Sequence, residues 1–468
     1  MQRLKVFVTV VLSAILTLSS LCSPNNISVE AAVDRKTYIK QEIENANSFY
    51  SDDSVKQYKY SSMKESPFAF YRGTAHLYYK DLNNGIIPVP VQWKNTSNIN
   101  TWIQGDLHTQ NLGFFDNDNG KLVMDINDFD EAYLAPFYWD LIRCVASIYL
   151  MKDEVGFNMS SSEAQYLATY FLEQYQNTLE NVTGNDGELS AEMTETTLSG
   201  FTKDTLLKLK NERSNSTLLG EWTTISSGVR LFNFANPKLS RPSTSEYQEI
   251  SSYWSNYKYD IYSFSSKQSV NYFKIKDIAV RLMSGLGSLG VKKYYVLIEG
   301  PTSSLYDDLL LEVKEERLPS MFLNPVMSLS QYNTYFSSHA KRAKIANKAM
   351  GRNVDNHLGA FNSSSRSYLV RKISPYKYGY EANDFKSESD LQNYLKYSAI
   401  AVAYAHSRAD KDYNTYYIPY GFDKNAVDAI KIWPSFKTTV VNLGQAYSDQ
   451  VRADYTSFVE LVNSGDLN

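Results

Sequence analysis

Gly105-Asp106-Leu107-His108-Thr109-Gln110-Asn111, followed by Asp125-Ile126-Asn127-Asp128-Phe129-Asp130, is the stretch that decides the reading of this chain. An Asp, an Asn five residues on and a second acidic cluster fall within one short span. Transfer of a phosphoryl group from a magnesium nucleotide needs such a set. One carboxylate orients the attacking hydroxyl, and an Asn and an Asp hold metal against the phosphates. On that reading Asp106 is the catalytic candidate, Asn111 and Asp128 are the metal candidates, and Asp130 or Asp125 assist. His108 would fix the loop by hydrogen bonding rather than move protons. Residues 114–116 and 121–124 flank Asn117-Asp118-Asn119-Gly120, a strong turn signal, so a hairpin is expected between the two clusters. Any one of these residues reads equally well as part of an acidic surface loop; the ordered set carries the argument.

A second signal lies far downstream. Gly285-Leu286-Gly287-Ser288-Leu289-Gly290 precedes a strand-like run at 293–299, and a further strand over 308–314 ends in Leu311-Glu312-Val313-Lys314. A glycine pattern of this kind also opens dinucleotide-binding folds, but there a helix follows it. Here a β-branched and aromatic strand follows, then a strand bearing a lysine. That context makes Gly285, Gly287, Gly290 and Lys314 candidates for holding the phosphates of ATP. Arg72, in Ser66-Pro67-Phe68-Ala69-Phe70-Tyr71-Arg72-Gly73, is a further candidate, to contact phosphate or acceptor or to brace a carboxylate.

The wording of the first stretch resembles the aminoglycoside and choline kinase-like enzymes, with a catalytic loop G-D-x-H-x-x-N and a metal motif I-D-F-x-x-A. Asn127-Asp128-Phe129-Asp130-Glu131-Ala132 is similar to the second, and Asp140 in Trp139-Asp140-Leu141 looks like their later, loop-bracing Asp. With Val313-Lys314-Glu315, Tyr368-Leu369-Val370-Arg371 and Ala405-His406-Ser407-Arg408, these phrases resemble, in order over about residues 40–465, a bacterial domain of unknown function, family 2252. The resemblance implies an α+β, protein kinase-like two-lobe fold, circularly permuted, with a largely helical C-terminal part. The permutation follows from order, since the Gly-rich loop and lysine come after the catalytic loop. One departure stands out. A kinase pairs its strand lysine with a Glu on the next helix, and residues 317–354 contain no Asp or Glu; the family pattern has an acid near Ile345.

The chain of 468 residues holds ample core for one large domain or two ordinary ones. A net charge of -4 gives no bulk attraction to nucleic acid. Arg3 and Lys5 precede an apolar run at 6–18 and a polar stretch ending Val29-Glu30-Ala31-Ala32, the layout of an export signal cleaved after Ala31 or Ala32. Leu21 before Cys22 fits a lipoprotein signal poorly, and an uncleaved anchor is the alternative. After cleavage only Cys144 remains, so no intramolecular disulfide forms. No later segment is apolar and long enough to span a membrane. The expected organisation is a signal at 1–32, a catalytic-loop half at 33–265 with a polar insertion over about 181–265, a Gly-rich-loop β lobe at 266–380 and a helical part at 381–468 completing the same domain.

The leading expectation is therefore a secreted or cell-surface phosphotransferase using ATP and Mg2+ on an unknown hydroxylated acceptor. The alternative is an exported kinase-like protein that binds nucleotide or scaffolds without catalysis, favoured by the missing acid and by the scarcity of ATP outside cells. A hydrolase using paired carboxylates ranks third, since nothing beyond the acidic pair supports it.

Overall fold

A computed structural model describes residues 27–50, 52–323 and 327–467. The expected export segment, residues 1–32, lies outside the described residues except for the backbone from Ile27 onward. The protein is a mixed α+β structure in which most helices gather around one core and a six-stranded antiparallel sheet forms another.

The helical half opens with α1 (Ile27–Ala46), α2 (Asp53–Met63), α3 (Pro67–Gly73) and α4 (Ala75–Asn83). Ser66 caps α3 and Pro67 occupies its first turn, where a missing N–H costs nothing. The short ladder of β1 (Asn100–Ile103) with β4 (Tyr133–Pro136) encloses the hairpin of β2 (Leu112–Asp116) and β3 (Leu122–Ile126). That hairpin turns at Asn117–Gly120, with Gly120 at φ +70, a left-handed conformation that favours glycine.

Helix α5 (Tyr138–Met151) is buried on every side, as its nearly unbroken apolar sequence requires. Around it lie α6 (Ser161–Val182), α11 (Glu388–Arg408) and α12 (Phe436–Ser464). Ser160 and Glu163 form a capping box on α6. Gly444 lets α12 approach α5, since a Cβ there would lie 2.5 Å from Val145. Cys144 is buried among these helices as a small apolar group.

Residues 181–265, the least legible part of the sequence, form α7 (Gly200–Glu212), a hairpin of β5 (Thr223–Ser226) and β6 (Val229–Phe232), β7 (Leu239–Ser240), α8 (Thr244–Ser252) and α9 (Trp254–Asp260). The sheet runs β11 (Gly359–Asn362), β12 (Ser367–Lys372), β10 (Leu309–Glu316), β9 (Lys293–Ile298), β8 (Ile275–Arg281), β7, all neighbours antiparallel. The period-two pattern of the strands sorts side chains between its faces. Leu311, Val313, Val296, Ile298 and Val370 pack outward beneath Ile250, Trp254 and Tyr257 of α8 and α9. Glu312, Lys314 and Glu316 alternate with them and face inward. Trp222 and Phe232 cover another part of that inner face, against Tyr295 and Leu297. Helix α10 (His339–Met350) packs on the β11–β12 end through Ala340 and Ala343. The strand β13 (Tyr378–Gly379) then joins β2, linking sheet to helical half. Among the described residues no helix is long and apolar enough to cross a membrane.

Candidate functional site

Two loops leave the end of the β1–β4 ladder, where Ile103 pairs with Tyr133, and they carry both acidic clusters. The first is pinned hard. Asp140 of α5 accepts the backbone N–H of Gln104 at 2.7 Å and of Gly105 at 3.0 Å. His406 of α11 lies 3.3 Å from the same carboxylate and 2.9 Å from the Tyr175 hydroxyl. Gly105 sits at φ +86, and a Cβ there would lie 2.1 Å from the Glu131 carbonyl oxygen, so close approach of the second loop demands glycine. Gln104 ties the loops further, donating to the Asp128 carbonyl at 2.7 Å.

Asp106 projects from this frame. Its carboxylate accepts from Arg143 Nε at 2.8 Å and from Nη2 of the same guanidinium. Arg143 is fully buried on α5 and lies over the rings of Tyr71 and Tyr78, 4.1 and 5.2 Å from their centroids. Burial pushes the Asp106 carboxyl up to about 6, although the Arg143 charge opposes it. His108 is buried, and burial drives its imidazole well below the usual range, so it is neutral. Its Nδ1 accepts the Gln110 N–H at 3.1 Å, while Nε2 lies 4.0 Å from Asp106. Asn111 donates through Nδ2 to the Asp106 carbonyl at 2.9 Å, which leaves its Oδ1 for another partner.

The second loop is gripped from the sheet. Arg371 of β12 pairs with Glu312 of β10 at 2.7 Å and donates to the Asn127 carbonyl at 3.2 Å. Arg342 of α10, fully buried, donates to the Asp130 and Ala132 carbonyls and lies 3.8 Å from Glu316. Lys314 forms an ion pair with Asp130. Burial lowers the Lys314 ammonium pKa, opposed by the Asp128 and Glu316 carboxylates. Burial also lifts Glu316 to about 7 against the pull of Lys314 and Arg342. Asp128 is left comparatively free, its carboxylate accepting one long bond from the Asp130 N–H at 3.4 Å.

The Gly-rich segment links β8 and β9 as a loop between strands, and its middle reaches the first loop. A Cβ on Gly287 would lie 3.3 Å from the Arg72 carbonyl oxygen and 3.9 Å from Asp106 Oδ2. Gly285 and Gly290 take φ +78 and +90, and Gly290 is capped by the Tyr50 ring, whose hydroxyl donates to Leu289. Lys293, across the ladder from Lys314, donates to the Ser284 hydroxyl at 2.8 Å and holds the loop's first arm. Arg72 makes no ion pair among the described residues, and its buried Nε has no hydrogen-bond partner.

The fold thus brings Asp106, His108, Asn111, Asp128, Asp130, Lys314, Gly287 and Arg72 into one site. Gly285 and Gly290 act on the shape of the loop rather than at its tip. Asp130, expected to assist at the metal, pairs with Lys314 through one carboxylate oxygen. Arg143, Arg342, Arg371, Glu312 and Glu316 complete the site, and reading the residues one by one did not select them for it. Arg143 had a signal, a basic residue three positions after Asp140 within an otherwise apolar helix. Arg342 sits in a generally basic stretch that gives none. A cavity of about 130 Å³ lined by Tyr295, Glu312, Asn127, Phe129, Arg371 and Lys377 adjoins the second loop. A larger cleft, about 710 Å³, lies by Leu122, Met193, Lys210 and Tyr404 and takes in none of these site residues.

Residues 52–461 match the model of a family described as uncharacterised proteins conserved in bacteria, DUF2252. The chain belongs to that family. No curated protein and no solved structure matches it.

Proposed function

We propose that this family member is an exported kinase-like phosphotransferase, moving a phosphoryl group from Mg-ATP to a hydroxyl acceptor on a circularly permuted two-lobe kinase-like fold. The observation that carries the reading is the meeting of Lys314 with Asp130, 184 residues apart in sequence, beneath a Gly-rich loop whose Gly287 faces Asp106. The sheet order β11-β12-β10-β9-β8, with the lysine on its central strand and α10 against it, supports the same reading.

In this mechanism Asp106 orients the acceptor hydroxyl and takes its proton, a role worth about 10²–10⁴ in rate. Arg143 keeps that carboxylate aimed. Asn111 Oδ1 and the Asp128 carboxylate are the hard oxygen donors that suit magnesium, and both are unencumbered by strong internal bonds. Bound there, magnesium would offset the charge of the phosphates. Lys314 exchanges part of its hold on Asp130 for a phosphate oxygen, while the backbone of the Gly285–Gly290 loop excludes water above it. The unpaired Arg72 guanidinium supplies positive charge where the transferred group and acceptor meet. Export rests on the basic and apolar pattern at residues 3–32, and the N-terminal sequence of the protein recovered from culture medium tests it.

Thermal unfolding with and without ATP and Mg2+ is the direct test. Nucleotide at ~100 times its dissociation constant stabilises a fold by roughly 2.7 kcal/mol. A shift that needs Mg2+ and vanishes in Asp128→Ala is the expected result. No shift at millimolar nucleotide would favour the non-catalytic scaffold. One observation already leans that way: α10 presents Arg342, not a carboxylate, toward the lysine strand.

A further inference from the structure

Away from this site, the turn after α6 and the turn after α11 bring acidic side chains together. The carboxylate oxygens of Asp186, Glu188 and Asp412 lie within 4.8 Å of one another. Like charges at this spacing repel strongly unless something positive lies among them. Among the described residues none of the three makes an ion pair, and the nearby Asp410 and Asp423 make none either. Asp186 and Asp412 are exposed, so solvent relieves part of their repulsion. Glu188 is different. It is 2 % exposed, and its Oε2 is buried without a hydrogen-bond partner. A buried carboxylate oxygen left without a hydrogen-bond partner is costly.

The backbone around the cluster is arranged rather than loose. Asp410 accepts the Asp412 N–H at 2.9 Å and the Phe422 N–H at 2.7 Å, which fixes the second turn. Asn185 accepts the Gly187 N–H at 3.0 Å, and Asp186 takes φ +52, which fixes the first. Arg408 Nε donates to the Glu188 carbonyl at 2.8 Å and its Nη1 pairs with Asp125 at 3.3 Å, so the guanidinium beside the cluster makes no ion pair with the Glu188 carboxylate.

We infer that Asp186, Glu188 and Asp412 form a calcium-binding site. Three carboxylates from two turns offer oxygen ligands only, the donor set of a hard cation. Calcium bonds of about 2.3–2.6 Å allow ligand oxygens up to roughly 5 Å apart across the ion, and its coordination tolerates irregular geometry. Magnesium requires tighter octahedral order and keeps its waters, while zinc favours nitrogen and sulfur. The ion would clasp the end of α11, which carries His406 and Arg408, to the turn beyond α6. The site is separate from the Asn111–Asp128 pair, so the inference stands independently of phosphotransfer.

The test is calcium titration of the full chain, followed by calorimetry and by thermal unfolding, with EGTA to reverse it. Exposed extracellular sites bind with dissociation constants of about 10⁻⁴–10⁻³ M, so the titration should reach ~10 mM. The expected result is a calcium-dependent rise in Tm that equal Mg2+ reproduces poorly. Glu188→Gln and Asp412→Asn should each weaken calcium affinity at least ~10-fold, while Asp128→Ala leaves it unchanged. In EGTA, Glu188→Gln should unfold no earlier than the wild type, because it removes an unpaired buried charge. Absence of a calcium response, or one that both variants retain in full, overturns the inference.

Discussion

The two faces of the six-stranded sheet are built from the same strands and have opposite chemistry. Outward, Leu311, Val313, Val296 and Val370 form an apolar layer closed by Trp254 and Tyr257. Inward, Glu312, Lys314, Glu316 and Arg371 form a buried charged layer that holds the 127–132 loop. Burying each outer side chain stabilises the fold by about 1.5–3 kcal/mol. Burying inner charges opposes folding unless every one is matched, and an ion pair in place of apolar packing often brings no net stability. The outer face therefore supports the sheet by apolar burial, while the inner face uses its charges to hold the 127–132 loop.

Substitutions on the two faces should therefore fail differently. The largest effect is expected from Asp128→Ala, opposite the inner face. It should abolish phosphoryl transfer and the Mg-dependent nucleotide shift, with far-ultraviolet circular dichroism unchanged. Asp106→Asn comes next, with turnover down by about 10²–10⁴ while nucleotide binding by calorimetry persists. Retained turnover in this variant would remove Asp106 from the mechanism.

Leu311→Ala probes the outer face and should lower stability by about 2–5 kcal/mol in denaturant unfolding. Nucleotide affinity of the folded protein should stay at the wild-type value; a parallel loss of affinity would mean that the two faces are not separable in function.

The smallest effect is expected at Glu246, which caps α8 over the outer layer. Its carboxyl is pulled to about 2, because the 2.7 Å contact with Lys292 and the Ser243 cap outweigh partial burial. A folded pKa below the unfolded value means that the unfolded chain binds more protons between about 2 and 4.5. Its stabilising contribution is full above about pH 4.5 and is lost as pH falls through 2. Glu246→Gln should therefore melt slightly below the wild type at pH 6, with the gap closing on acidification. A gap independent of pH would assign the effect to packing.

Much of the architecture was legible in the residues. The turn Asn117–Gly120 specified its hairpin locally, and the β-branched and aromatic run at 293–299 and the leucine-rich run at 308–314 specified strands. Glycines before a strand, rather than before a helix, placed the loop between β8 and β9. These readings worked because turn chemistry and side-chain period act over a few residues. Residues 181–265 resisted because their elements are short and polar, and Ile250, Trp254 and Tyr257 acquire their meaning only against the sheet.

The sequence by itself singled out part of the candidate site: Asp106, Asn111, Asp128 and Lys314 stand out by type, order and spacing. The tertiary structure alone decided who pairs with whom. Lys314 met Asp130 and Asp106 met Arg143, while Arg342 took the place beside Glu316 where a helix carboxylate was sought. Local sequence limits which conformations a segment can adopt, whereas the pairing of buried charges depends on which distant segments are packed together. In a low-dielectric interior that pairing must be resolved by neighbours that no short stretch of sequence contains.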